Sequence, residues 1–299
     1  MNFNQLLAFY EVARQRSFTR AAKNLAISQP AVTRRILEME LAHNVKLLER
    51  TSRNVVLTGP GKMLMSYVER MVALAEEAEI SLKSTVGLKT GRIEIGASRP
   101  VASAYLSAIS VAFKKRFPGV VPVIHVENSH WIFEQVLAFR LDLGIIGIKP
   151  RHPDLIVSPF FDEALVLVVS PTHPWAKRKS FKLEELTGQS LVMREKGSGT
   201  RELIESALNK SDAKPIIAME IGSNEAIKRA VEGNIGLAFF PPSVVDAEVK
   251  QGEMKALKIS DVRLELSFNV VYHQEKRSSP VIRAFMEVLN EQRPKPAPY

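Results

Sequence analysis

From Lys62 to Val86 the chain runs without a Gly or a Pro, and apolar residues recur through it three or four apart: Leu64, Tyr67, Val68, Met71, Leu74, Ala75, Ala78 and Leu82. That pattern predicts one continuous helix. Thr58 can cap it and Pro60 fits its first turn, so the rod has roughly 30 residues and spans about 45 Å. It separates a short head from a long body, which suits a chain of 299 residues, more than one core usually organises. A stripe on a helix between two domains has to be buried. Pairing with the same helix of a second chain through Leu64, Met71, Leu74 and Ala78 is the simplest solution, so a homodimer is expected. Packing on the chain's own head is the alternative.

The head reads as short helices. Leu6, Phe9, Tyr10 and Ala13 share one helical face. Ser17 can cap a second helix with Phe18, Ala21, Ala22 and Leu25 inward, and after the turn Ala26-Ile27, Ser28 can cap a third with Pro30 in its first turn and Val32, Ile36 and Met39 inward. Two short helices on a tight turn, the second opening with polar residues, form the helix-turn-helix pattern. Val45 to Leu57 then reads as a short two-stranded wing carrying Arg50 and Arg53. On the third helix Gln29 and Thr33, like Pro30 and Arg34, lie one turn apart on the outward face. Gln can pair with adenine, Arg with guanine, and the Thr and Pro carbons can meet a thymine methyl. Arg53 would enter a minor groove. The charge agrees: residues 1–58 carry nine Lys and Arg against four Asp and Glu, leaving +4 of the net +9 for the rest. A basic head on a nearly neutral body suits a polyanionic partner for the head, although a basic surface kept for solubility would look the same.

From Gly91 the grain changes to alternating strands and helices. Strands are expected at 92–97, 121–127, 141–146, 165–170, 190–194, 216–221, 236–240 and 264–272, with helices at 102–117, 131–139, 200–208, 225–232 and 281–292. This is an α/β signature with parallel strands. The pattern shifts over Phe160 to Val169, and the last strand and helix can return to the first half. Two lobes with a crossover hinge follow, one of about residues 91–160 plus 265–299 and one of 161–264, with a cleft between them. The expected division is therefore a head at 1–58, a linker helix at 59–90 and a body at 91–299, with a frayed Pro-rich end from Arg293. In the cleft, Ser98-Arg99-Pro100 opens one helix and the loop Arg194-Glu195-Lys196-Gly197-Ser198-Gly199-Thr200-Arg201 runs into another, each offering free backbone N–H groups to an anion, the second with cations nearby. The expected holders of a small organic anion are Ser98, Arg99, Pro100, Asn128, Ser129, Ser198 and Thr200, with Arg201 beside them. Ordinary helix capping accounts for any one of these alone.

Several motifs identify a family. Leu6, Phe9, Val12, Ser17-Phe18-Thr19, Ala21-Ala22, Leu25, Ser28-Gln29-Pro30-Ala31-Val32-Thr33, Ile36, Glu40, Leu47, Arg50 and Leu57-Thr58 resemble the winged helix-turn-helix of LysR-type transcriptional regulators in order and spacing. The likeness continues through Gly91 to Gly96, Leu141 to Gly144, Gly222 to Lys228, Gly236-Leu237-Ala238 and Pro241. It departs at Leu37, His43, Asn44 and Leu48, where the family usually has a polar residue, Leu, Gly and Phe. Asn tolerates the left-handed backbone a Gly would supply at position 44, so the turn is expected to survive. The resemblance implies a dimer or tetramer on double-stranded promoter DNA, with the linker helices paired. It also implies phosphate contacts from Arg34, Arg35 and Arg50, and a C-terminal domain similar to periplasmic solute-binding proteins that senses a metabolite. Gly-Ser-Gly-Thr-Arg recurs in such regulators of sulfur assimilation and carbon fixation.

Other classes fit poorly. The sequence lacks a phosphate-binding Gly-rich loop and a nucleophile elbow, and its six His are scattered, so neither an enzyme nor a metal or cofactor site is expected. With no Cys, disulfides and thiol sensing are excluded. A basic head stands where an export signal would, and no window of 18 apolar residues occurs, so a cytoplasmic protein without membrane attachment is expected. The rivals are a transport solute-binding protein, which needs that signal, and a DNA-binding protein without an effector.

Overall fold

The computed structural model describes residues 1–50, 54–84 and 90–294. Arg53 and the last five residues of the Pro-rich end lie outside them. The chain divides into two compact units: Met1–Ile80 with Ala138–Arg140, and Ser81–Leu137 with Leu141–Tyr299. No described helix is long and apolar enough to cross a membrane.

The first unit begins with α1 (Phe3–Gln15), α2 (Phe18–Asn24) and α3 (Gln29–His43). Ser17 and Ser28 cap α2 and α3 as expected, their hydroxyls accepting from the Arg20 and Ala31 N–H groups. At the end of α3, Asn44 takes the left-handed conformation at φ 49°, ψ 42°, and its N–H closes the helix on Glu40 and Leu41. The strands β1 (Leu48–Arg50) and β2 (Val55–Leu57) pair antiparallel as the wing. Glu40, buried at the end of α3, accepts from the Leu47 and Leu48 N–H groups at 2.8 and 3.2 Å and pairs with Lys46, tying helix to wing.

The rod is α4 (Gly59–Ser84). Thr58 caps it, accepting from the Gly61 N–H and donating to the Lys46 carbonyl. Gly61 is required there, since a Cβ would lie 2.1 Å from the Leu47 carbonyl oxygen. The single stripe read from the sequence divides into two. Met65, Val68 and Val72 enter the head core with Phe9, Val12, Ile36 and Met39, and Leu64, expected in the partner-facing row, packs partly against that core instead. Met63, Tyr67, Met71, Leu74, Ala78 and Leu82 are exposed and fall within about 100° of arc at 100° per residue. Packing on the chain's own head thus takes one face of the helix, and the exposed row is a second face.

The second unit runs β3 (Gly91–Ser98), α5 (Arg99–Ala104), α6 (Leu106–Arg116), β4 (Val120–Glu127), α7 (Ser129–Leu137), β5 (Leu143–Ile146), β6 (Leu155–Ala164) and β7 (Val166–Val169). It continues with β8 (Ser180–Phe181), β9 (Ser190–Arg194), α8 (Gly199–Asn209), β10 (Ile216–Ile221), α9 (Asn224–Glu232), β11 (Ala238–Phe240), α10 (Pro242–Gln251), β12 (Lys255–Ile259), β13 (Glu265–His273) and α11 (Pro280–Glu291). One sheet has the order β4-β3-β5-β13-β6; a second is β11-β7-β12-β8, with the parallel pair β9-β10 beside it. The expectation of parallel strands is corrected in part. β3 runs parallel to β4 and β5, but β13 inserts antiparallel between β5 and β6, and β7 is antiparallel to both neighbours. A buried apolar run reads the same in either direction, so direction was not legible. The helix expected over 102–117 is broken at Tyr105 (φ −127°), where α5 ends and α6 starts.

The chain passes from the first sheet to the second at Leu165, between β6 and β7, and returns just before β13. The two passages meet where the Leu165 N–H donates to the Leu264 carbonyl at 2.7 Å. Phe113 of α6 meets Phe285 of α11 edge-on in the first lobe, and Ile132 and Val136 of α7 cover the other face of its sheet. The second lobe is centred on Val168, Val192, Ile227, Val231 and Phe240.

Candidate functional site

In the first unit the outward face of α3 presents Ser28, Gln29, Pro30 and Arg34 exposed, with Thr33 and Arg35 half-buried. The Thr19 hydroxyl donates to Gln29 Oε1 at 3.1 Å, fixing the amide from the neighbouring helix. Arg34 pairs with Glu38 one turn on at 2.7 Å, but its side chain is 81% exposed, and such an ion pair gives way at little cost. Arg50 lies with its guanidinium 4.1 Å from the centre of the Phe18 ring, an anchorage that leaves N–H groups for a phosphate. Leu37 stands on the same outward face as Thr33, 45% exposed; nothing in the structure explains an apolar residue there.

In the second unit the lobes are closed on one another. Ser98, Pro100, Asn128, Ser129, Ser198 and Thr200 converge as the sequence suggested, joined by Gly147, Arg194, Gly199, Leu266 and Phe268. The space between them is about 10 Å³, room for one water-sized group. The approach depends on glycine. A Cβ on Gly199 would lie 2.1 Å from the Gly147 carbonyl oxygen across the cleft. The His130 N–H donates to the Gly197 carbonyl from lobe to lobe.

Local bonding separates the residues that serve as caps from those that do not. Asn128 Oδ1 accepts from the Trp131 N–H and so caps α7, and the Ser129 hydroxyl accepts from the Gly147 N–H. Ser98 and Ser198 occupy N-cap positions without capping with their side chains. The Ser98 hydroxyl is buried and has no hydrogen-bond partner in the closed cleft. An orphaned buried hydroxyl is costly.

The two arginines proposed from sequence point elsewhere. Arg201 is held by Glu205 and Glu220, both at 2.6 Å, and donates to the Arg194 carbonyl. Burial would lower its pKa, but the hydrogen bonds to Glu220 and Glu205 outweigh that and raise it. Arg99 pairs with Glu195 and, at 3.3 Å, with Glu127. The cation that lines the cavity among the described residues is Arg194, which the sequence places only as a cation near the loop and not among the anion's holders; a buried arginine is the less expected reading of a charged residue at the end of a strand. Among the described residues no three of His, Cys, Asp and Glu converge to hold a metal ion.

Outside the cavity lining, buried Glu163 of β6 accepts from the Ser243 N–H and hydroxyl at 3.0 and 2.8 Å, at the start of α10. Tyr105 also hydrogen-bonds it. Burial raises the Glu163 pKa against the opposing Ser243 bonds, and it pushes the Tyr105 hydroxyl up to about 12.

A helix-turn-helix head with a wing, and a two-lobed α/β body with a polar cleft, define a protein of receptor-and-reader type. Residues 3–62 match the family of bacterial regulatory helix-turn-helix proteins of the lysR type, and residues 87–294 match the LysR substrate binding domain. The chain belongs to the LysR family of transcriptional regulators. It is 29% identical over 286 residues to the HTH-type transcriptional activator CmpR of Synechocystis, covering 96% of this chain and 94% of that one. A full-length OxyR variant from Pseudomonas aeruginosa has the same fold, with a TM-score of 0.80 at 21% identity over 98% of this chain and 94% of that one. The CcmR regulatory domain of Synechocystis in complex with 2-PG superposes with a TM-score of 0.65 at 26% identity, covering 70% of this chain and all of that domain.

Glu163 gives a pH signature with a definite sign. A carboxyl whose pKa is raised by folding adds stability below the ordinary value of 4.5, and that stability is lost as pH rises through the folded value. Glu163→Gln is expected to remove this decline. Thermal melts of both proteins from pH 4 upward should show their difference in melting temperature changing across this window; a constant offset would refute the assignment.

Proposed function

We propose that this regulator reads promoter DNA through the outward face of α3 and the wing, and that a small anion in the interlobe cleft modulates that binding. The observation that carries the second part is the Ser98 hydroxyl, buried and without a partner, facing the uncapped start of α8 beside Arg194. A ligand with anionic oxygens would satisfy the hydroxyl and the α8 N–H groups together. The CcmR regulatory domain, a relative captured with 2-PG, supports the same chemistry for this chain. The working division is a head at 1–58, a linker helix at 59–90 and a body at 91–299.

In the head, Gln29, Pro30, Thr33 and Arg34 would meet base edges, and Ser28, Arg35 and Arg50 phosphates; Arg53 would serve the minor groove. The exposed row on α4 would be covered by its copy in a second chain, so that two heads reach half-sites about 34 Å apart. Homologous regulators are named for transcriptional control rather than for catalysis, which favours a non-enzymatic role. A cleft closed to one water-sized space would have to open for a ligand to enter, coupling occupancy to lobe geometry.

Binding in the cleft should appear as a rise in melting temperature with 2-PG, inorganic phosphate or sulfate, because a ligand that binds the native state stabilises it by mass action. Ser98→Ala and Thr200→Val should abolish the rise, and no response from the unaltered chain to any of these anions would count against the cleft as an anion site. Arg34→Ala should cost about 1–3 kcal/mol of discrimination between a selected promoter site and random DNA in competition gel shifts. Equal loss on both would make Arg34 a phosphate contact. Leu74→Glu should lower the mass seen by sedimentation while leaving the head folded; an unchanged mass would place the subunit contact elsewhere.

A further inference from the structure

Glu195 stands between two arginines from opposite lobes. Its carboxylate accepts from Arg99 Nη1 of the first lobe, and from Arg194 Nε and Nη2 of the second at 2.9 and 3.1 Å. Arg194 Nη1 donates to Asn224, whose amide reaches Ser103 of α5. The Arg194 side chain is 5% exposed, whereas Glu195 is 19% exposed and lies nearer the rim. The buried guanidinium lines the cavity. It cannot remain without a counter-charge, and Glu195 supplies one.

Two cations, Arg99 and Arg194, are thus balanced by two carboxylates, Glu195 and Glu127. An anion entering beside Ser98 and the start of α8 adds a third negative charge to a neutral cluster. Its attraction to Arg194 is opposed by the carboxylate already bound there. We propose that Glu195 is a built-in competitor for the cleft's ligand: it holds Arg194 when the cleft is empty, links the lobes through Arg99, and yields Arg194 to an entering small anion, so that it sets the concentration at which the regulator responds. This rests on the reading of the cleft as an anion site. Among the side chains around the cavity, Glu195 therefore tunes affinity according to ligand charge, a role distinct from direct contact.

The test is calorimetric titration of the full chain with inorganic sulfate, phosphate and nitrate, comparing the unaltered protein with Glu195→Gln and Glu195→Ala. Removing the carboxylate's charge is expected to tighten sulfate and phosphate at least about tenfold, and nitrate by less, because the repulsion removed scales with ligand charge. A purely structural role for Glu195 would weaken binding and would not order the three anions by charge. Glu127→Gln serves as the comparison, since Glu127 touches Arg99 but has no bond to Arg194; its effect should stay within about twofold. If the unaltered protein binds these anions in a Ser98-dependent way and both Glu195 variants bind them equally or more weakly, the competitor role is wrong and the anion site stands. If none of the proteins binds any of the three, the anion site falls and the competitor role with it.

Discussion

The body depends on two strands that change sheets side by side. Leu165 and Leu264 join across the passage by a backbone hydrogen bond, so the first sheet receives both β6 and β13 while the second receives β7 and β12. That exchange makes two lobes of a continuous chain and fixes where they face one another. The ends of β3, β4, β5 and β9 and the start of α8 then meet along one seam. Residues a hundred positions apart, such as Ser98 and Ser198, become neighbours for this reason alone.

Closure of the seam is sterically tight and electrically balanced. Gly199 lies against the Gly147 carbonyl with no space for a methyl group, and the cations of the region are matched by carboxylates: Arg99 and Arg194 by Glu195, Arg201 by Glu205 and Glu220. Among the described side chains that line the cavity, the Ser98 hydroxyl is buried without a hydrogen-bond partner. Low dielectric makes that lone group expensive, whereas the paired charges are tolerated, so the difference in bonding separates a candidate ligand contact from scaffolding more sharply than residue type does.

In the head the same economy applies to a helix. One face of α4 completes the core of the helix-turn-helix through Met65, Val68 and Val72, and the next face leaves a continuous apolar row exposed. The rod up to Ile80 therefore belongs to the same compact unit as the head, and its exposed row from Met63 to Ala78 is held in a defined orientation relative to α3.

Local rules made much of this legible. Caps at Ser17, Ser28 and Thr58, the left-handed Asn44, the outward face of α3, and most strand positions follow from residue type and spacing, because these features are decided within a few residues of chain. Strand direction, the break at Tyr105, the division of the rod's stripe into two faces, and the substitution of Arg194 for Arg99 and Arg201 at the cavity were not legible. The last two are settled by partners distant in sequence: the head core for Leu64 and Val68, and Glu195, Glu205 and Glu220 for the arginines. An arginine's charge is written in the chain, but whether that charge is free or spent depends on which carboxylate the fold brings to it.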